Sequence, residues 1–261
     1  MRILFLGDIV GRPGRRAVCG RLPELRREYG LDLVLANAEN ASGGLGLNQK
    51  NARQLHRAGL AVLTSGNHIW RYKEILPFLE ETEWLVRPAN YPPRVPGRGY
   101  TVLEFRGIRV AVLNIQGRVF MDPLDCPFRT ADAALREMQE QNPHVILVDF
   151  HAEATSEKQA MRHYLDGRVT AVLGTHTHVQ TGDALVGRTG TASITDLGMC
   201  GPSDSVIGME PDSVVEGFKM QLPQRLSVAG GAAELSGALL DIDTESGKCE
   251  AISAWRDREG D

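Results

Sequence analysis

Two histidines, His176 and His178, close the apolar segment AVLGTHTHVQ at residues 171–180. Imidazoles serve as metal ligands, general bases or hydrogen-bond donors, and the surroundings decide which. The same pattern recurs elsewhere. ILFLG is followed by Asp8, LVLANA by Glu39 and Asn40, AVLTSG by Asn67 and His68, and VILVDF by His151. Five short apolar runs thus end in carboxylate, amide or imidazole side chains, a donor set that Zn, Mn and Fe accept. Singly, each residue has an ordinary role: Asp8 as a helix cap, Glu39 as a solvated acid, Asn67 in a turn. Together they exceed the roughly four to six donors that one divalent ion takes. Two cations about 3.5–4 Å apart, sharing a carboxylate and a hydroxide, would absorb the whole set. The shared water would then be acid enough to attack phosphorus in line.

Such residues must be carried by strands whose carboxyl ends face one way, where open α/β sheets bind ligands. The apolar runs at 3–6, 33–36, 61–63, 145–148 and 171–173 lack strict alternation, which fits strands covered on both faces. Helical patterns lie between them at 13–29, stopped by Gly30, and at 48–58 and 130–141. A further pattern at 156–166 opens on a Ser156-x-x-Gln159 capping spacing. The alternation predicts βαβ units and a largely parallel sheet. Residues 100–115 alternate more strictly and pivot at Arg106-Gly107, which predicts a hairpin. The tail from 226 to 255 is also β-rich, so a second, more antiparallel sheet is expected to pack on the first. Residues i and i+2 of extended chain project to one face, so His176 and His178 are expected to share one centre or two adjacent ones.

The chain has 261 residues, 42% hydrophobic and 24% charged, with a formal charge of −4. One domain over 1–261 is expected, Pro/Gly-rich 88–99 being a surface loop. No apolar run is long enough for a transmembrane helix, and Asp8 interrupts the start too early for a secretory leader. The mixed charge offers no strong footprint for long nucleic acids. Cys19, Cys126, Cys200 and Cys249 form no C-x-x-C, which points to free thiols in a reducing cytoplasm. His56, His144 and His163 read as structural. GRPGRR at 11–16 reads as a helix start with its arginines on solvent. SGGLG at 42–46 fits a tight turn and a phosphate-binding loop equally. Arg118 and Phe120, after the hairpin, are candidates to meet a base or phosphate, and 196–208 carries no assigned chemistry.

The order of GDIVG, NAEN, GNHIW, DFHAE and GTHTH resembles the calcineurin-like metallophosphoesterases, whose motifs run D-x-H, G-D-x-x-D, G-N-H-[DE], H and G-H-x-H. RPANYP and TDLGMCGPSDSVIG look like the narrower YmdB-type bacterial phosphodiesterases. The resemblance implies a four-layer α/β/β/α sandwich of two mixed sheets flanked by helices. It implies that Asp8, Glu39, Asn40 and His178 hold one metal ion, that Glu39, Asn67, His151 and His176 hold the other, and that His68 assists at the leaving oxygen. Two departures stand out. Val10 replaces the histidine of D-x-H, with Asn40 filling in, and Ile69 replaces the acid after GNH, so His68 lacks an orienting carboxylate. The oxygen-rich shell favours Fe or Mn over Zn, as divalent or mixed-valence ions. The implied activity is hydrolysis of small cyclic nucleotides, 2′,3′-cyclic first and 3′,5′-cAMP second. A broad phosphomonoesterase or nucleotidase, a nuclease and a metal-stabilised regulatory scaffold are the competing readings. The oligomeric state, homo-oligomer included, is left open.

Overall fold

The computed structural model describes residues 1–258. The expected single domain, 1–261, extends three residues past them. ILFL forms the middle of β1 (Arg2–Ile9), buried from Ile3 onward. The chain then enters α1 (Gly11–Tyr29), which ends as expected at Gly30, where φ is 61° and the N–H bonds Arg26 O. Arg12 and Arg16 lie on solvent, but Arg15 does not. Its guanidinium reaches back to Ala41 O and to Gln54 Oε1, and so ties the helix to the loop that follows the second strand. β2 (Leu33–Asn37), α2 (Gln49–Ala58), capped by the Asn48 side chain, and β3 (Val62–Thr64) complete the first parallel unit. A 3-10 turn over Asn67–Arg71 and a short α3 (Ile75–Glu81), which the sequence pattern did not signal, follow.

β4 (Tyr100–Phe105) and β5 (Ile108–Gln116) form the expected hairpin. Its Arg106 and Gly107 both have positive φ, as a tight two-residue turn demands. α4 (Pro127–Gln139) starts three residues before the expected Thr130, with proline in its first turn. β6 (Val145–His151) leads to α5 (Thr155–Leu165). Ala154 stands at its N-cap, so the Ser156–Gln159 spacing lies inside the helix and is not a capping box. β7 (Ala171–Thr175), β8 (Leu185–Val186), β9 (Ala192–Ile194), β10 (Met199–Pro202), α6 (Pro211–Met220), β11 (Ala233–Ile242) and β12 (Cys249–Arg258) follow among the described residues.

The strands form two six-stranded sheets, ordered β12-β11-β10-β1-β2-β3 and β4-β5-β6-β7-β9-β8. A second sheet packs on the first as expected, but the antiparallel strands are not gathered in one of the two. The carboxyl-terminal hairpin β11–β12 joins β1, and hairpin β4–β5 joins β6, so each antiparallel piece extends a parallel sheet. Pairing with β1 and with β6 satisfies backbone groups that a free hairpin would leave open. LSVAGG at 226–231 makes only a single bridge, Met209 to Val228.

Three apolar clusters define four layers. Leu4, Val34, Val18 and Leu55 pack the first sheet against α1 and α2. Phe5, Leu35, Val112 and Leu147 fill the space between the sheets. Leu113, Phe150, Leu135 and Met161 pack the second sheet against α4 and α5. The architecture is therefore an α/β/β/α sandwich. Among the described residues no helix is long and apolar enough to cross a membrane.

Candidate metal centre

Parallel strands from both sheets end on one rim. Asp8 lies at the end of β1, Glu39 and Asn40 follow β2, Asn67 and His68 follow β3, His151 ends β6, and His176 and His178 follow β7. All eight residues singled out in the sequence meet there. Glu39 Oε1 lies 3.1 Å from His151 Nε2 and 3.2 Å from His68 Nδ1. His151 Nε2 also lies 3.1 Å from both Asn67 Oδ1 and His176 Nδ1. On the other side, His178 Nε2 is 3.7 Å from Asp8 Oδ1, a fully buried oxygen with no hydrogen-bond partner. Gly66 makes this closeness possible. A Cβ there would overlap the His151 ring and stand 2.5 Å from Glu39 Oε2.

The surrounding hydrogen bonds fix which imidazole nitrogens carry lone pairs. Thr175 Oγ1 donates to Asp149 Oδ1 at 2.6 Å, so it accepts from His151 Nδ1 at 2.9 Å. That leaves the His151 Nε2 lone pair facing Glu39, Asn67 and His176. His178 Nδ1 donates to Ile207 O at 2.9 Å, which turns its Nε2 lone pair toward Asp8. Glu153 Oε2, 3.2 Å from His176 Nε2, holds that proton and leaves Nδ1 facing the cluster. Acceptors converging on acceptors repel one another unless a proton or a metal cation stands between them. The donor set therefore fits divalent metal ions, and Glu39, His151 and His176 hold ligand atoms within 4.8 Å of one another.

Without metal a proton does part of the cation's work: burial lowers the His151 pKa, but Glu39, Asp8 and Asp149 outweigh it and raise the pKa to about 9, a proton that a bound metal ion would displace. Burial raises the Asp8 carboxyl, against partial compensation by His178 and His151. Burial also opposes charge on Glu39, but His151 and His68 outweigh it and hold the carboxyl well below its usual range. His176 is pushed down to about 3, first by burial and then by His151, so it is neutral and free to ligate.

Three expectations change in detail. The His176–His178 pair is not extended: φ is 102° at His176 and 65° at His178. The imidazoles consequently diverge, one toward His151 and the other toward Asp8. Asp196 secures this turn by accepting from Thr177 N at 3.1 Å and Thr177 Oγ1 at 2.8 Å while paired with buried Lys158 at 2.7 Å. Second, His68 is not without orientation, since its Nδ1 lies 2.9 Å from Asn40 Oδ1 and its backbone N–H bonds Glu39 Oε2. Third, Asn40 turns its Nδ2 toward Glu39 Oε1 and His178 Nε2. Its oxygen reaches the cluster only when the amide is turned over, and the amide nitrogen then faces His68 Nδ1.

Beneath the cluster lies a buried polar layer that the motif pattern did not flag. Asp149 accepts from Asn37 Nδ2 at 3.1 Å and from the hydroxyls of Thr64 and Thr175. The signal was present: Asn37 and Asp149 are polar residues in otherwise apolar strands, and Asp149 shares its face of β6 with His151. SGGLG is a tight turn, closed by Ser42 N to Gly46 O, with Gly44 packed against Val228 and Met209. His56 stacks on Trp84, and His144 accepts from Arg109 N, as expected of structural histidines.

The sequence model of the YmdB-like protein family matches residues 4–254. A 2′,3′-cyclic-nucleotide 2′-phosphodiesterase of Bacillus subtilis (strain 168) is 47% identical over 97% of this chain and 95% of its own. The crystal structure of a hypothetical protein from Thermus thermophilus superposes with a TM-score of 0.93 at 46% identity, covering 99% of this chain and all of that one. That of a Mycoplasma pneumoniae protein described as a novel phosphatase gives 0.91 at 34% identity, over 99% and 93%. The order of strand-end residues, the four layers and these full-length matches lead to one assignment: the chain belongs to the YmdB-like family.

Proposed function

We propose that this protein is a metal-dependent phosphodiesterase of small cyclic nucleotides, with 2′,3′-cyclic nucleotides its preferred substrates. The observation that carries the reading is the convergence of Glu39 Oε1, Asn67 Oδ1 and His176 Nδ1 on His151 Nε2, each at 3.1 Å, a donor set that suits a metal ion. In this reading Asp8, Glu39, Asn40 and His178 hold one ion and Glu39, Asn67, His151 and His176 hold the other. Fe or Mn suits the oxygen-rich donor set. When bound, the two ions supply charge neutralisation at phosphorus and a water acidified into the nucleophile. The name of the Bacillus subtilis relative, at 47% identity over nearly the whole chain, supports the substrate class.

The chain's own residues do the remaining work. Asp149 and Thr175 keep the proton on His151 Nδ1, and Ile207 O keeps it on His178 Nδ1. Asn40 sets the tautomer of His68. Turning its amide over would give its oxygen to the first ion and point its N–H at His68 Nδ1, making that nitrogen the acceptor. His68 Nε2 then carries the proton and offers it as a hydrogen bond to the oxygen leaving phosphorus, stabilising its developing charge while solvent supplies the proton that the leaving group takes up. The four thiols, none of them bridged, suit a reducing cytoplasm.

The test compares turnover of 2′,3′-cyclic nucleotides, 3′,5′-cAMP, nucleoside monophosphates and RNA by freshly purified protein. Preference for the 2′,3′-cyclic esters supports the reading. Preference for monoesters would move the protein to the phosphatases, and inertness on all four with metal present would make it a scaffold.

A further inference from the structure

The loop at 117–126 leaves β5 beside the cluster. Gln116 ends that strand opposite His151 in the parallel register, and Gly117 N donates to His151 O at 2.9 Å. The root of the loop is anchored. The carboxylate of buried Glu157 accepts from Arg118 N through both oxygens and from Val119 N, each at 3.2 Å. Met121 N bonds back to Arg118 O at 3.4 Å, so 118–121 form a β-turn with Phe120 in third place at φ 61°. That position normally takes Gly or Asn, because a bulky side chain there strains the backbone. Here it holds an aromatic ring that is 89% exposed. It stands four positions after Gln116, at most about 14 Å of chain, which keeps it near the mouth of the site. Arg118, also exposed, adds positive charge suited to an anionic ligand. The fold therefore leaves an aromatic side chain exposed on an anchored turn whose loop starts beside a cluster suited to phosphate.

We infer that Phe120 is the base-stacking residue of the site: the nucleobase packs on its ring while the phosphodiester occupies the cluster. The inference rests on the phosphodiesterase reading for its substrate. Every base has a π-face, so the contact favours nucleotides over abasic esters without choosing strongly among the bases.

The test uses the metal-loaded protein with adenosine 2′,3′-cyclic phosphate and ribose 2′,3′-cyclic phosphate. Phe120→Ala is expected to cut the preference in KM for the nucleotide over the abasic ester by about 5- to 100-fold, with kcat for the nucleotide changing less than KM. Phe120→Trp is expected to retain the preference. Calorimetry with adenosine 3′-monophosphate and ribose 3-phosphate reads the same contact by binding alone, so it remains decisive if the protein hydrolyses no diester. Wild-type protein that binds the two equally, or an unchanged preference in Phe120→Ala, overturns the inference. Equal losses on both esters would also overturn it, since they mark a structural role.

Discussion

Replacing Thr175 by Val tests how the chain prepares the His151 lone pair. The side chain keeps nearly the same shape but loses a fully buried hydroxyl that donates to Asp149 Oδ1 at 2.6 Å and accepts from His151 Nδ1 at 2.9 Å. Asp149 keeps Asn37 Nδ2 and the Thr64 hydroxyl, so the fold survives, but two buried polar atoms lose their partners. Each unmet group costs about 1–3 kcal/mol. With some relaxation the variant should be less stable by about 2–4 kcal/mol, or roughly 5–12 °C in Tm for a chain of this size. The second effect matters more. Without Thr175 nothing holds the proton on Nδ1, and loss of such a supporting bond weakens metal binding about 10- to 100-fold. Denaturation of the metal-free protein gives the first quantity, and calorimetric titration with Mn gives the second. Thr175→Ser, which restores the hydroxyl, should recover most of the metal affinity. A Val variant that loses stability yet binds metal like the wild type would refute the reasoning, because the hydroxyl would then serve only packing.

Other outcomes follow from the same contacts. Gly66→Ala places a methyl against the His151 ring and Glu39 Oε2, so metal content should fall below one ion per chain by elemental analysis. Asn40→Asp keeps an oxygen for the cluster but has no N–H for His68 Nδ1. It should retain its metal while kcat falls on the order of 100-fold, and ¹⁵N NMR should show the His68 proton shifted away from Nε2. Asp196→Asn removes the charge facing Lys158 Nζ at 2.7 Å and loosens Thr177, which should cost about 3–5 kcal/mol in urea unfolding. Adding Lys158→Met should restore much of that stability but not the metal affinity, because the turn stays unclamped.

The strand ends were legible because chemistry and periodicity coincide there. An apolar run covered on both faces has few reasons to end in Glu-Asn or His-x-His, and a parallel sheet sends all such ends to one rim. The pairing of the hairpins was not legible. β4–β5 and β11–β12 alternate like members of an antiparallel sheet, but which strand accepts them depends on edges that exist only in the folded protein. The histidine pair taught a related lesson. Spacing two apart implied extended chain, whereas both residues adopt positive φ, held by Asp196 from twenty residues downstream of His176. Asn37 and Asp149 were readable in principle, as polar residues in strands that are otherwise apolar. Their partnership with Thr64 and Thr175 is tertiary, and no local pattern encodes it.

The central claim is that the converging acceptors around Glu39 hold a pair of cations. Elemental analysis of freshly purified protein beside its Glu39→Gln variant, each checked for folding by circular dichroism, tests it most directly. Two transition-metal ions per wild-type chain, and at most one in the variant with loss of diester hydrolysis, are expected. Wild-type protein that hydrolyses cyclic nucleotides at full rate after exhaustive chelation, with no metal detected, would contradict the account.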